Sequence, residues 1–135
     1  MAEGSATGAG ELEGLLENLR ALSGEVTTAA VLGKDGKIRA STVSSGVDRE
    51  RYAAMITALA GLARRTAREN GGSSFEQVRI KGGEEGYVLM IGLEGGETLA
   101  STTEPDARVG LVLYDMRNAR TEIEQRLRSE REERQ

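Results

Sequence analysis

The residues of this chain that could carry chemistry are carboxylates, arginines, lysines, hydroxyls and phenols, because the sequence has no histidine and no cysteine. Histidine is the commonest general base and a frequent metal ligand, and cysteine supplies thiolate nucleophiles and thiolate ligands. Without either residue, few arrangements place a nucleophile beside a base within one chain. We therefore expect a protein that is not an enzyme and that binds no cofactor and no metal.

Two segments look like ligand-binding motifs but lack the required context. A phosphate-binding loop needs the pattern G-x-x-x-x-G-K-[ST] between a strand and a helix. The glycines and lysines of residues 33–37 have a different spacing and lie in a predicted hairpin. The adjacent acids Glu84 and Glu85 belong to one loop and give no convergent set of metal ligands. We interpret both segments as turns.

Three arginines could act on a phosphate-handling partner. An arginine finger stabilises phosphoryl transfer when it projects from a rigid element into the partner's site. Arg64, Arg65 and Arg68 follow the small residues of a predicted helix and could serve in this way. The alternative, which we prefer at this point, is that they are solvated residues whose positive charge suits the carboxyl end of a helix.

Length and composition limit the remaining classes of protein. The 135 residues are enough for one domain, which we place at residues 10–128, after a flexible leader at 1–9 and before a charged helical or frayed tail at 129–135. A net charge of −4 and only 3% aromatic residues disfavour nucleic-acid binding. The longest apolar stretch, residues 87–93, is too short to insert in a membrane. Residues 1–10 lack a signal-peptide pattern, so we expect a cytoplasmic protein.

The first elements predicted along the chain are a helix and a β-hairpin. The helix is indicated by leucines spaced three and four residues apart, namely Leu12, Leu15, Leu16, Leu19 and Leu22, and Gly24 suits its end. Alternation over residues 26–32 predicts a strand with Val26, Thr28, Ala30 and Leu32 on one face. The pair Asp35 and Gly36 favours a tight turn into a second strand at residues 38–43.

A long second helix is predicted from Asp48, as its N-cap, to about Asn70, where two glycines follow. Its core-facing stripe is expected to consist of Tyr52, Met55, Ile56, Leu59, Leu62 and Ala63. Three strands follow at residues 75–81, 87–93 and 98–102, and Pro105 stands at or just before the start of a last helix. The element order α-β-β-α-β-β-β-α predicts an α+β fold with a five-stranded antiparallel sheet.

The second helix has no charged residue between positions 52 and 63. Ala54, Ala58 and Gly61 point away from the predicted core stripe, and small residues allow another backbone to come close. We expect this helix to be buried on two sides, by its own sheet and by a second chain. The alternative is an ordinary alanine-rich helix with an apolar surface.

The last nineteen residues, 117–135, hold six arginines and five glutamates. Pairs four residues apart in the favourable order are Glu122 with Arg126, Glu124 with Arg128, and Glu130 with Arg134. A solvated or frayed helix end is the interpretation we prefer, and a partner-binding extension is the alternative.

Residues 12–127 resemble the Roadblock family, the dynein light chain and MglB-type domain. The resemblance is carried in family order by LLENLRAL, VTTAAVLGKDGKIRAST, YAAMITALAGLARRTA, FEQVRIKG, GYVLMIGL and DARVGLVLYDMR. The most specific features are the Asp-Gly hairpin, the alanine-rich helix and Gly110.

The resemblance implies a Roadblock, profilin-like layer fold and a homodimer or heterodimer in which the strand after the long helix joins two sheets. The interface would contain Phe75, Val78 and Ile80 of that strand and the small residues Ala54, Ala58 and Gly61 of the helix. Family members bind Ras-like small GTPases and regulate their cycle, for example as GTPase-activating partners. A GTPase would dock on the strip of small residues bordered by Arg65 and Arg68.

Two other functions stay open at this point. One is a structural scaffold subunit without effect on nucleotide turnover. The other is a small-molecule sensor, although the sequence shows no polar cluster suited to an apolar pocket.

Overall fold

The computed structural model describes residues 3–43, 46–72, 74–82, 84 and 86–133. Its elements in chain order are α1 (Glu3–Ser23), β1 (Val26–Leu32), β2 (Ile38–Ser41), α2 (Val47–Glu69), β3 (Gln77–Lys81), β4 (Tyr87–Gly92), β5 (Thr98–Thr103) and α3 (Val109–Glu133). The strands form one antiparallel sheet in the order β2-β1-β5-β4-β3. The predicted α+β class and element order are confirmed.

Helices cover both faces of this sheet. Alternate residues of each strand point to opposite faces, so the apolar residues on each face need a helix to bury them. On one face, α1 and α3 bury the larger core, which includes Leu12, Leu16, Val31, Leu89, Leu99, Met116, Ile123 and Leu127. On the other face, α2 covers a smaller core of Ala30, Leu32, Ile56, Ala60, Phe75, Met90 and Ala100. We call these the α1/α3 face and the α2 face.

The predicted face of β1 needs one correction. The pairing register of β1 with β5 shifts between Val26 and Thr28. Val26 therefore packs in the larger core, whereas Ala30 and Leu32 pack in the smaller one. The irregularity breaks strict alternation, as bulges do, so Val26 does not share a face with the residues predicted to accompany it.

The tight turns follow the sequence signals. Gly36 has a φ of 86°, and the Asp35 carboxylate accepts a hydrogen bond of 3.0 Å from the Lys37 amide. Gly24 has a φ of 68° and ends α1, and its amide donates a hydrogen bond of 3.0 Å to the Arg20 carbonyl. Both turns are confirmed.

Several predicted boundaries are wrong by a few residues. Helix α1 begins at Glu3, nine residues before the first leucine of the predicted repeat, Leu12, and the flexible leader at 1–9 stays a prediction. Gly46, not Asp48, is the N-cap of α2, and Asp48 lies in the first turn, where its charge suits the helix dipole. Strand β3 begins two residues after Phe75. Pro105 lies in a turn four residues before α3.

The core stripe of α2 is also rotated from its predicted position. Ile56 and Ala60 are buried, with Tyr52, Ala53, Leu59, Ala63 and Ala67 packed beside them. Met55 and Leu62, which were predicted to face the core, are 41% and 63% exposed. Small alanines let the helix axis approach the sheet closely, so they occupy the centre of the contact and the two large side chains project.

The charged tail is held against the domain. Ion pairs join Arg126 to Glu11 of α1, Arg128 to Glu94, Arg131 to Glu97, and Glu130 to Arg39 of β2, with N–O distances from 2.5 to 2.8 Å. Arg126 and Arg128, which were predicted to pair within the helix, thus reach other elements instead, and α3 continues to Glu133. The leader's first two residues, the loop acid Glu85 and the tail residue Arg134 lie outside the described residues.

The helices and acidic side chains of the described residues bear on membranes and metals. In this part of the chain, no helix is long and apolar enough to cross a bilayer. The same residues contain no group of three or more acidic side chains placed to hold a metal ion.

Candidate functional site

The candidate site begins with β3, which is an edge strand of the sheet. It pairs with β4 alone among the described residues, with Val78 opposite Met90 and Ile80 opposite Val88. The far edge of β3 therefore presents backbone N–H and C=O groups to solvent, which is a template for pairing with another strand.

The side chains of β3 alternate as its sequence indicates. Val78 is half-buried and packs against the smaller core, while Ile80 on the same face is 39% exposed. On the opposite face, the Gln77 side chain accepts a hydrogen bond of 3.3 Å from Arg117 of α3. The Lys81 ammonium lies 5.8 Å from the centre of the Tyr87 ring. The apolar residues of β3 thus share the α2 face.

An apolar groove of about 400 Å³ runs between α2 and β3. Phe75, only 9% exposed, packs in the smaller core and lines this groove, while Leu62 and Ile80 line its more exposed part. Met55 stands two turns before Leu62 on the same side of α2, because seven residues complete nearly two turns. The groove and Met55 form a continuous apolar surface beside the free strand edge, which we call the α2–β3 surface.

The small residues predicted for the same interface lie farther around α2. Ala54, Ala58 and Gly61 are exposed, and a β-carbon at Gly61 would meet no atom within 4 Å. Ala58 precedes Leu62 by one turn and so borders the groove, whereas Ala54 and Gly61 lie farther from Leu62 around the helix. The structure therefore brings Phe75, Val78 and Ile80 together and places the small residues on an adjoining strip.

The three arginines after the small residues differ in their surroundings. Arg64 is half-buried and points its guanidinium at the Gly96 carbonyl, 3.5 Å away. Arg65 is 74% exposed and forms only a loose pair of 3.7 Å with the equally exposed Glu69. Arg68 is exposed in the last turn. Exposed ion pairs of this kind contribute little to stability, so Arg65 and Arg68 are available to a partner. Arg64 is directed to its own domain.

Two ionisable groups have shifted pKa values, Tyr52 near the start of α2 and Glu25 just after α1. Burial raises the pKa of Tyr52 to about 12, because the α2 face of the sheet surrounds its ring. Hydrogen bonds from the Arg108 amide at 2.6 Å and its side chain at 2.9 Å lower the pKa of Glu25. Glu25 thereby ties the entry of α3 to the end of α1. Neither group lines the groove between α2 and β3.

Sequence reasoning missed Met55 and Leu62 as members of this surface. The available signal was the alanine repeat Ala53, Ala60, Ala67, whose spacing of seven residues marks one side of a helix. Taking the alanines as the core-facing side would have placed both large residues at its border.

An antiparallel five-stranded sheet between one helix and a pair of helices, with an exposed edge strand beside the single helix, defines a small α+β domain of the profilin-like layered class. The sequence pattern of the Roadblock/LC7 domain matches residues 12–101. The chain belongs to the Roadblock/LC7 family.

The chain is also similar to proteins from other organisms and to solved structures. An uncharacterized protein of Methanocaldococcus jannaschii is 39% identical over 94 residues, covering 69% of this chain and 80% of that protein. A Roadblock/LC7 domain from Streptomyces avermitilis has a TM-score of 0.77 at 20% identity, over 85% of this chain and 96% of that domain. The Myxococcus xanthus MglB structure has a TM-score of 0.77 at 15% identity, covering 87% and 88% of the two chains. At these identities the two structures show the shared fold.

Proposed function

We propose that this chain forms a homodimer that binds a Ras-like small GTPase and modulates its GTP cycle. The observation that carries the proposal is the α2–β3 surface, an apolar groove directly beside an unpaired strand edge. Membership of the Roadblock/LC7 family supports the kind of partner. A solved MglB with a tetrameric arrangement, similar in fold at a TM-score of 0.76, supports self-association.

The dimer would use both features of the surface at once. Antiparallel pairing of the β3 edge with the β3 edge of a second copy would satisfy its free backbone groups and join two sheets. The same symmetry would bring two α2 helices together and cover Leu62, Met55 and Ile80. An interface that buries both apolar side chains and strand edges gives a reason for their exposure in one copy.

The GTPase would dock on the adjoining strip of α2. Ala54, Ala58 and Gly61 offer a smooth surface on which a second protein can approach closely. Arg65 and Arg68 lie beside it and would attract an acidic surface, raising the rate of association. Such a platform can alter GTP turnover by contributing an arginine or by repositioning the GTPase's own residues.

The direct test is GTP hydrolysis by a Ras-like GTPase encoded near this chain, measured with and without the purified protein. Acceleration or slowing of turnover supports regulation. Binding without a change in turnover supports the scaffold function instead, and no binding to the GTPase contradicts the proposal.

The variant Ala58→Arg locates the docking strip. We expect the dimer mass to persist, because Ala58 only borders the groove, and GTPase binding to weaken by more than about tenfold, because a long charged side chain would stand in the contact. Ala21→Arg, the same change on an exposed residue of α1, is the matched control and should leave binding unchanged. A monomeric Ala58→Arg protein would place the strip within the dimer interface, and unchanged binding would show that no partner contacts it.

A further inference from the structure

A second exposed apolar surface lies on the opposite face of the sheet, where α1 ends and α3 begins. Leu22 is 72% exposed and lines a groove of about 210 Å³ between the two helices, together with Asp115, Asn118 and Glu122. In the first turns of α3, Leu111 and Tyr114 are 51% and 56% exposed. They precede Asp115 and Asn118 by one helical turn, so they adjoin the groove. We call these residues the α1–α3 surface.

The groove continues along the two antiparallel helices. A wider part of about 570 Å³ shares Leu15, Asn18 and Glu122 with the first and extends to Glu132. Beside α1 the two parts run from residue 11 to residue 22, a length of about 16 Å at about 1.5 Å per residue. That length matches three turns of a third helix, and helices pack side by side in such grooves.

The charges of the groove define the chemistry of its occupant. Around Leu22 the described lining holds Asp115 and Glu122 and no basic residue. In the wider part, Arg126 is paired with Glu11 and Arg128 with Glu94, each at 2.6 Å, so the arginines are neutralised within the domain. The groove is therefore apolar with an acidic rim around Leu22, and its wider part is lined mostly by polar side chains.

We propose that the α1–α3 surface binds an amphipathic helix of a partner protein whose apolar side is flanked by lysines or arginines. A second copy of this chain fits poorly, because a two-fold axis would set Asp115 and Glu122 against the same acidic groups in a chain of net charge −4. An anionic membrane is disfavoured by the same charges. A basic helix would satisfy the acidic rim and cover the three exposed apolar side chains.

The test uses two labelled helical peptides of equal length, one with leucines and lysines at helical spacing and one with glutamate in place of every lysine. Fluorescence anisotropy should show binding of the lysine peptide, weakened by salt, and no binding of the glutamate peptide. Leu22→Ser should weaken binding of the lysine peptide about 5- to 30-fold, because the burial of an exposed leucine is lost. Asp115→Lys should weaken it as well, by reversing a rim charge.

The control is Leu62→Ser, the same change on the α2–β3 surface, which should leave peptide binding unchanged. Circular dichroism confirms that each variant is folded. The proposal is overturned if the lysine peptide does not bind, if the glutamate peptide binds equally well, if Leu22→Ser has no effect, or if Leu62→Ser weakens binding as much as Leu22→Ser does. A lower sedimentation mass of Leu22→Ser would overturn it too, by showing that the surface joins copies of this chain. These results are independent of the proposed GTPase function, because they concern the other face of the sheet.

Discussion

Replacing Leu62 with serine should separate dimer formation from folding. In one copy the Leu62 side chain is 63% exposed, so its truncation should change the free energy of unfolding of the monomer by less than about 0.5 kcal/mol. Full burial of a leucine contributes about 1.5–3 kcal/mol. Burying the exposed fraction in a dimer therefore contributes about 1–2 kcal/mol per copy, or about 2–4 kcal/mol for the symmetric pair.

This free energy corresponds to a dissociation constant raised about 30- to 900-fold in the variant. Sedimentation equilibrium over a concentration series measures that constant directly. Leu22→Ser is a matched control, because Leu22 is 72% exposed on the opposite face of the sheet and its truncation should leave the dimer intact. Equal dissociation constants for Leu62→Ser and the unmodified protein would refute the assignment of the α2–β3 surface as the dimer interface. An unmodified protein that stays monomeric would refute the dimer itself.

Three further predictions concern stability. Gly86→Ala should cost about 2–4 kcal/mol in urea unfolding, because Gly86 has a φ of 95° and an added β-carbon would overlap a backbone carbonyl of β5. Gly61→Ala should instead stabilise the fold by about 0.5–1 kcal/mol, because Gly61 lies in a helix with open space around it. Equal changes in the free energy of unfolding for the two substitutions would contradict this geometry. Glu130→Gln should destabilise by about 1–3 kcal/mol, because its ion pair with β2 is largely shielded from water, and Arg65→Gln by less than about 0.5 kcal/mol. The pKa of Tyr52 is about 12 in the folded protein and near 10 when unfolded, so stability should fall between those pH values by up to about 1.4 kcal/mol per pH unit. Tyr52→Phe should lack that decline, and an identical pH profile would show that the ring is solvated.

The parts of the fold that were predictable depend on contacts close in the sequence. The turn at Asp35 and Gly36 and the end of α1 at Gly24 follow from residues that adopt positive φ or hydrogen-bond their neighbours. The apolar repeat of α3 likewise places Met116 and Ile123 in the larger core. In each case the local signal and the packing agree.

The parts that were not predictable depend on what lies across the molecule. Arg126 and Arg128 have glutamates four residues before them, yet each pairs with a carboxylate on another element. Sequence spacing identifies a carboxylate one helical turn away. It cannot show that a turn of the sheet or a neighbouring helix places another carboxylate closer to the arginine. The assignment of Leu62 to the core failed for a related reason, since periodicity gives the apolar side of a helix but not the point on that side that touches the sheet.

Because the cores on the two faces of the sheet are unequal, we expect α2 to be the helix that binds a second chain. The α1/α3 face buries many leucines and large apolar side chains between two helices, and the tail of α3 is further fixed by ion pairs. The α2 face is closed by one helix whose innermost contacts are mostly alanines around Ile56. Alanine brings the helix close but buries little area, so larger residues such as Leu62 are left at the border with nothing of their own chain to cover them. A helix packed in this way buries less apolar area within its own domain than its sequence offers. A second chain on the α2–β3 surface would bury the rest of that area. Dimer formation would then stabilise the fold by mass action as well as build a platform for a partner.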